Sequence, residues 1–246
     1  MSAYFRREDP QLSNVLDTIL TQAFTRTDPV CSTLALWASD ACGGDSDVAL
    51  PVAAAVESLS RFWLLHDELH VLPGRSASAD STLARWGVAQ TLNAGDACHG
   101  LALKLIASKS AHPARTLEVA VMLEEAVMRA IDARSRLTRI ARIGAARPAR
   151  RRRIAYSGTR ALGYEASMRA GAMIAGAPQP VAEAFARAGH RLDIAAALAS
   201  SLSNTGTSKM AGRFAAAAVT EIRCTAVAPG YVQEFEEIVH HLAAGD

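Results

Sequence analysis

The densest group of titratable side chains ends a long apolar run in the first third of the chain. His66, Asp67, Glu68 and His70 stand there, just before a Pro-Gly pair that breaks a helix. Two histidines four residues apart on a helix could chelate a transition metal. The order His-Asp-Glu-Leu-His differs from the His-Glu-x-x-His zinc motif, however, and the sequence places no third ligand. We therefore do not expect a zinc site.

Helical spacing of apolar residues runs through nearly the whole chain, because Ala and Leu dominate and the alternation typical of strands is missing. The sequence contains no repeat, linker or change in composition that would mark a domain boundary. It therefore predicts an all-α fold, one domain over residues 1–246, built as a bundle of about ten helices. The predicted helices are Leu12–Phe24, Asp28–Ala41, Leu50–Leu69, Thr82–Ala107 (one or two helices), Ala114–Ile143, Arg150–Ile174, Pro180–Ser203, Met210–Val227 and Val232–Ala243.

Charge and cysteine usage exclude several classes of function. The net charge of +2 at pH 7 predicts neither a nucleic-acid partner nor attraction to a membrane surface. The basic run Arg147–Arg153 is typical of a solvated loop or helix end, with anion binding as the alternative. The cysteines lack CxxC spacing and are expected to be reduced thiols. Without a signal-peptide core or an apolar run of about 18 residues, the chain is predicted to be cytoplasmic, with no membrane span.

The stretch that contains these titratable residues resembles one protein family. Three segments resemble, in the same order, the motifs of trans-isoprenyl diphosphate synthases, the polyprenyl synthetase family. The HDD(x2)D motif corresponds to His66-Asp67-Glu68, the RWG motif to Arg85-Trp86-Gly87 and the LAGD motif to Leu92–Asp96. The resemblance implies the class I isoprenoid synthase fold, also called the terpenoid synthase fold. It extends over most of the chain, through Leu34–Asp45, Thr159–Gly176 and Gly189–Asn204.

The metal-binding positions of the resembled family are mostly lost. In that family, carboxylates from two facing helices hold three Mg²⁺ ions, which stabilise the departing diphosphate. Here Asp67 remains as the single candidate metal ligand, Glu68 replaces the second Asp, and the third position is Val71. The second motif reads Ser200-Ser201-Leu202-Ser203-Asn204, and hydroxyls and an amide hold Mg²⁺ poorly. We therefore expect no cofactor, and Mg²⁺ only if the protein is catalytic.

The basic residues of the resembled family are lost as well. The Gly-Gly-Lys-Arg signature falls on Arg26–Ser32, and the RRG triplet is replaced, leaving Arg75 beside it. The family lysine of the Lys-Thr motif falls on Thr159 next to Arg160, and a family glutamine falls on Arg129. The candidate residues for binding a prenyl diphosphate are Phe62, Trp63, His66, Asp67, Glu68, Arg75, Asp96, Arg129, Arg160, Ser200, Ser201 and Asn204.

Two features have competing interpretations. In the resembled family, the residues four and five positions before the first Asp form the floor of the prenyl tunnel. Here these residues are Trp63 and Phe62, whose rings would close such a tunnel after about two or three isoprene units; alternatively they are core aromatics. Ser200, Asn204 and Ser208 have the spacing of a terpene cyclase metal motif, but Gly212 stands at its glutamate position, which favours an ordinary helix end.

Three functions remain open. The first is a non-catalytic or regulatory subunit that pairs with an active prenyl synthase, since the resembled family dimerises through mid-chain helices. The second is a divergent class I terpene cyclase or prenyltransferase acting on a short (C10–C15) allylic diphosphate. The third is a ligand-binding protein that keeps the prenyl cavity without chemistry. We favour the subunit, paired with a prenyl synthase or with itself, because one carboxylate cannot organise three Mg²⁺ ions.

Overall fold

The computed structural model of the protein describes residues 10–25, 28–69, 81–108, 111–142, 162–200 and 205–244. Within these ranges the chain forms nine α-helices and no strand, which confirms the all-α prediction. The basic run 147–153 lies outside the described residues. The helices are α1 (Pro10–Thr25), α2 (Val30–Ala41), α3 (Ser46–Glu68), α4 (Thr82–Ala107), α5 (Pro113–Arg142), α6 (Tyr164–Ala175), α7 (Gln179–Ser200), α8 (Thr205–Arg223) and α9 (Pro229–Ala244).

Helix α3 begins a full turn earlier than the sequence predicted. The prediction started the helix at Leu50 because proline is favoured in a first turn, but Pro51 lies inside the helix. Asp45 caps the true start, since its side chain accepts a 2.8 Å hydrogen bond from the Asp47 N–H. This cap, together with an acidic first turn, stabilises the segment ahead of the proline.

Helix α4 is bent, which accounts for the prediction of one or two helices over this segment. Ser81 caps its start, where its Oγ accepts a 3.1 Å hydrogen bond from the Ala84 N–H. Gly87 has φ 74° and ψ 175°, a conformation that residues with a side chain rarely adopt, so this glycine permits the bend. Beyond the bend, α4 packs along α3.

The helix predicted over residues 150–174 is shorter at its start. In the structure it begins at Tyr164, with Gly163 at the N-cap position and no side-chain cap. Residues 143–161 lie outside the described ranges. The predicted continuous helix is therefore wrong at residues 162 and 163, where a turn precedes α6.

The bounds of α8 also differ from the prediction. Thr205 and Gly206, which lie between the predicted helices Pro180–Ser203 and Met210–Val227, form the first turn of α8. The helix therefore starts before the predicted Met210, and it ends at Arg223 instead of Val227. Thr and Gly occur at both ends of helices, so the residue types alone did not fix which helix they belong to.

Two apolar clusters hold the helices together. The larger one joins α3 to α4, α5 and α6 and contains the fully buried Leu59 and Leu123. The second surrounds Trp37, whose ring stacks on Phe235 with 4.8 Å between centroids and is tilted against Phe185 at 5.7 Å. Each such side chain contributes about 1.5–3 kcal/mol by burial. Packing between helix faces therefore positions the last turn of α3, where the candidate residues lie.

One described helix has the length and composition of a membrane span. This helix is α3, and most of its apolar window is buried within the bundle. The expectation that no apolar segment approaches this length was therefore wrong. Burial among the other helices accounts for the composition of α3.

The cysteines in the structure are all free. Burial raises the pKa of Cys31 and Cys98 to about 12 and that of Cys42 to about 11. These three side chains are therefore neutral thiols near pH 7, and the structure gives none of them the low pKa of a nucleophile.

Candidate functional site

Asp67, the single predicted metal ligand, is paired with a cation of the protein itself. Its carboxylate forms an ion pair with the guanidinium of Arg134 on α5. The Arg134 Cζ also lies 5.3 Å from the centroid of the Trp63 ring, so a carboxylate and an aromatic ring hold the guanidinium together. The Arg134 side chain is 21% exposed and that of Asp67 43%. The contact is thus partly shielded from solvent, which strengthens it relative to a surface pair.

Glu68, the replacement for the second aspartate of the family motif, caps α4. Its Oε2 accepts a 2.9 Å hydrogen bond from the N–H of Leu83, in the first turn of that helix. A carboxylate at this position satisfies an otherwise unpaired backbone donor and interacts favourably with the helix dipole. Glu68 therefore joins the end of α3 to the start of α4.

His66 is held between α3 and α4. Its Nδ1 lies 3.0 Å from the carbonyl oxygen of Phe62, and its Nε2 lies 3.4 Å from Oδ1 of Asp96 on α4. The ring lies so close to Gly95 that a Cβ at that residue would be 2.3 Å from His66 Cε1. Gly95 and Asp96 of the LAGD-like motif thus form the part of α4 that contacts His66 of the first motif.

The Phe62 ring lies between the rings of His66 and His99. Its ring centroid is 4.5 Å from that of His66 and 5.4 Å from that of His99 on α4. The Nε2 of His99 lies 3.0 Å from Oε1 of Glu124 on α5. Phe62 is buried in the larger apolar cluster, whereas Trp63 is partly exposed beside it. These contacts favour the core interpretation of Phe62; the tunnel length stays a prediction.

Arg129 belongs to a different polar network. Its Nη2 lies 3.9 Å from Oε1 of Glu165 on α6, and the other oxygen of Glu165 lies 3.1 Å from Nδ1 of His190 on α7. The hydrogen bond with Glu165 raises the pKa of His190, although burial opposes the shift. The buried Asp193 also accepts a 3.3 Å hydrogen bond from the Glu165 N–H. This network ties α5, α6 and α7 together.

Sequence reasoning missed the partners of the candidate residues. Asp96 and His99 are three residues apart on α4, a spacing that puts them on one face and could have drawn attention to His99. Arg134 carried no such signal, because α5 contains several arginines and the sequence does not tell which one meets α3. Glu165 and His190 lie far apart in the chain and meet only through helix packing.

Curated relatives match part of this chain. It is 38% identical to a geranylgeranyl diphosphate synthase of Mycobacterium tuberculosis over 69 residues, which is 28% of this chain and 20% of that protein. It is 31% identical to a (2E,6E)-farnesyl diphosphate synthase of Mycobacterium bovis over 159 residues, 64% of this chain and 43% of that protein. The matches thus span less than half of these relatives' length. No family model matches the sequence.

Solved structures match nearly the whole fold. A geranylgeranyl pyrophosphate synthetase from the archaeon Geoglobus acetivorans has a TM-score of 0.79 at 12% identity, with 97% of this chain and 94% of that chain covered. An FPP/GFPP synthase from Zymomonas mobilis has a TM-score of 0.79 at 15% identity, with 99% and 94% covered. Likeness at this level of sequence identity shows which fold this chain has. Its fold is the all-α prenyl synthase fold that the motif resemblance implied.

Several candidate positions lie outside the described residues. Ser200 is the last residue of α7, and its side chain is not described either. Ser208 is exposed in α8, so the cyclase-like spacing of serines does not fall on one described helix. The positions outside are Val71, Arg75, Arg160, Ser201 and Asn204.

The side chains of the first motif, His66-Asp67-Glu68, do not fit the Mg²⁺ ions of the trans-isoprenyl diphosphate synthase family. Mg²⁺ takes an octahedral shell of oxygen ligands, in which a protein usually supplies one or two free carboxylates and the rest are substrate phosphates and water. Asp67 is paired with Arg134, and Glu68 is hydrogen-bonded to a backbone N–H. Within the described part of the chain, no three His, Cys, Asp or Glu side chains are grouped to hold a metal. What the first motif does here is join α3 to α4 and α5.

Proposed function

We propose that this chain is a non-catalytic subunit that pairs with an active prenyl synthase and adjusts its stability or product length. The observation that carries the proposal is that all three side chains of the first motif have protein partners. His66 contacts Asp96, Asp67 pairs with Arg134, and Glu68 caps α4. Ionising an allylic diphosphate needs concentrated divalent charge at the leaving group, and these side chains are not free to hold it.

The composition of the second motif supports the same proposal. Residues 200–204 read Ser-Ser-Leu-Ser-Asn, with no carboxylate. A terpene cyclase or prenyltransferase would need metal ligands on both facing helices. The alternative of an active enzyme therefore lacks anionic ligands at this motif.

The outer face of α5 supports this pairing. Four apolar side chains recur there at helical spacing, which defines the α5 stripe. A patch of exposed apolar side chains on one helix face is typical of a protein–protein interface. The stripe consists of Leu117 (65% exposed), Val121 (51%), Met128 (65%) and Ile131 (42%).

Helix α4 extends this surface. Val88, Leu92 and Leu103 are also exposed and also recur on one helix face. The contact between His99 of α4 and Glu124 of α5 joins the two faces, since Glu124 lies at the middle of the α5 stripe. The two helices together would offer a partner an apolar face that spans both.

Sedimentation velocity at micromolar concentration tests this pairing. We expect a stable dimer, or a complex when a complete prenyl synthase from the same organism is added. Met128→Glu places a charge in the α5 stripe and should weaken the association. Met210→Glu is the matched control, because Met210 is an exposed methionine on α8. A clean monomer that does not bind the synthase would contradict the subunit role.

We also propose a cytoplasmic location and a single domain over residues 1–246. The free cysteines support the first point, since disulfides are rare in the cytosol. Packing of α3 against both α4 and α6 supports the second.

A further inference from the structure

We infer that the guanidinium of Arg134 is a built-in cation that takes the place of a divalent metal ion at Asp67. The proposal concerns the charge at the first motif only. It therefore stands whether or not the chain pairs with a prenyl synthase. It also differs from the simple loss of a metal site, because it assigns a residue to the position that the metal would take.

Arg134 is held from two sides. The Asp67 carboxylate pairs with the guanidinium, and the Trp63 ring centroid lies 5.3 Å from Cζ. A guanidinium is planar, weakly hydrated and able to stack on aromatic rings, so it suits a position between a carboxylate and an indole. Mg²⁺ takes oxygen ligands and gives up its water shell reluctantly, so the face of the Trp63 ring supplies no ligand for it.

A metal ion at Asp67 would have to displace Arg134. The Arg134 Nε is buried and has no hydrogen-bond partner among the described residues. Arg134 thus depends on Asp67 for charge compensation. Taking one partner from a shielded ion pair leaves the other charge uncompensated, and this opposes metal binding.

The neighbours of Asp67 cannot complete a metal shell. Glu68 is hydrogen-bonded to the Leu83 N–H, and His66 lies against Phe62 O and Asp96. Removing Arg134 would free a single carboxylate. The expected gain is therefore one weak site for a divalent ion, and not a cluster of several.

Mn²⁺ binding followed by electron paramagnetic resonance tests the inference directly. Mn²⁺ prefers the same oxygen ligands as Mg²⁺, and the signal of the free ion reports binding without any enzyme assay. We expect wild-type protein to show no site that depends on Asp67. Arg134→Met should show a Mn²⁺ site that depends on Asp67, with an affinity at least about tenfold above any binding by the wild type, the scale on which an adjacent arginine shifts the proton affinity of a carboxylate.

Matched variants decide the interpretation. Arg134→Lys keeps a positive charge and should, like the wild type, show no Mn²⁺ site that depends on Asp67. Combining Arg134→Met with Asp67→Asn should remove the gained site. If circular dichroism shows that Arg134→Met has lost its helices, the same Mn²⁺ binding is measured on Arg134→Gln, which is also neutral. Wild-type Mn²⁺ binding that Asp67→Asn abolishes, or no gain in a folded neutral Arg134 variant, would overturn the inference.

Discussion

The imidazole of His66 lies directly against the backbone of Gly95. A methyl group at residue 95 would lie 2.3 Å from the Cε1 of His66 and 2.4 Å from its Nδ1, closer than such atoms approach one another. Glycine at this position therefore allows α3 and α4 to approach closely. The same approach lets His66 contact Asp96 while its other nitrogen lies near the Phe62 carbonyl.

Gly95→Ala should destabilise the protein, although alanine is normally the better helix residue. The added methyl overlaps the His66 ring, and overpacking of this kind costs about 1–3 kcal/mol. Gly100→Ala on the same helix is the control, because nothing lies within 4 Å of its added Cβ. That variant should gain up to about 1 kcal/mol. Urea unfolding measures both, and Gly95→Ala as stable as Gly100→Ala would refute the close approach.

Glu68→Ala should lower the free energy of unfolding by about 1 kcal/mol, as the loss of a helix cap does. The reason is the hydrogen bond from the Leu83 N–H, which would lose its acceptor. Glu68→Gln retains an acceptor oxygen and should lose less. If the loss in Glu68→Ala appears only when Mg²⁺ is present, Glu68 is a metal ligand and this assignment is wrong.

Sequence alone gave most of the helices but few of the contacts at the site. The bounds of α1 and α4 followed from apolar periodicity and from local breakers such as Asp28-Pro29, which act over a few residues. The start of α3 was misjudged because the Asp45 cap outweighed the proline signal. Asp67 was identified from its motif, but its partner Arg134 was not, since helix packing decides which arginine of α5 faces α3.

The pair of His190 and Glu165 should make stability depend on pH. The hydrogen bond with Glu165 raises the folded pKa of His190, with burial opposing it. The stabilisation is therefore fully present below the ordinary histidine pKa of about 6.5, and is lost as pH rises through the higher folded value. His190→Gln should remove this part of the pH dependence of the urea midpoint. His240→Gln, at an exposed position on α9, should leave it unchanged; equal slopes in both variants would contradict the assignment.

Phe62→Ala combined with Trp63→Ala tests whether a prenyl tunnel survives beside the first motif. We expect a loss of stability without any preference for long chains, because the Phe62 ring packs against His66 and His99. A buried Phe→Ala change costs about 3–5 kcal/mol, so Trp63→Ala alone serves as the milder variant. Calorimetry with geranyl and geranylgeranyl thiodiphosphates measures the preference. Tighter binding of the longer analogue by either variant would show that the rings close a tunnel.

We predict that this chain performs no metal-dependent chemistry on allylic diphosphates by itself. The most direct measurement is incubation of the purified chain with geranyl, farnesyl and geranylgeranyl diphosphates and Mg²⁺, with and without isopentenyl diphosphate. Since the first motif is engaged with Arg134, Leu83 and Asp96, we predict that every substrate is recovered unchanged. An elongated or cyclised product that Asp67→Ala abolishes would contradict the account.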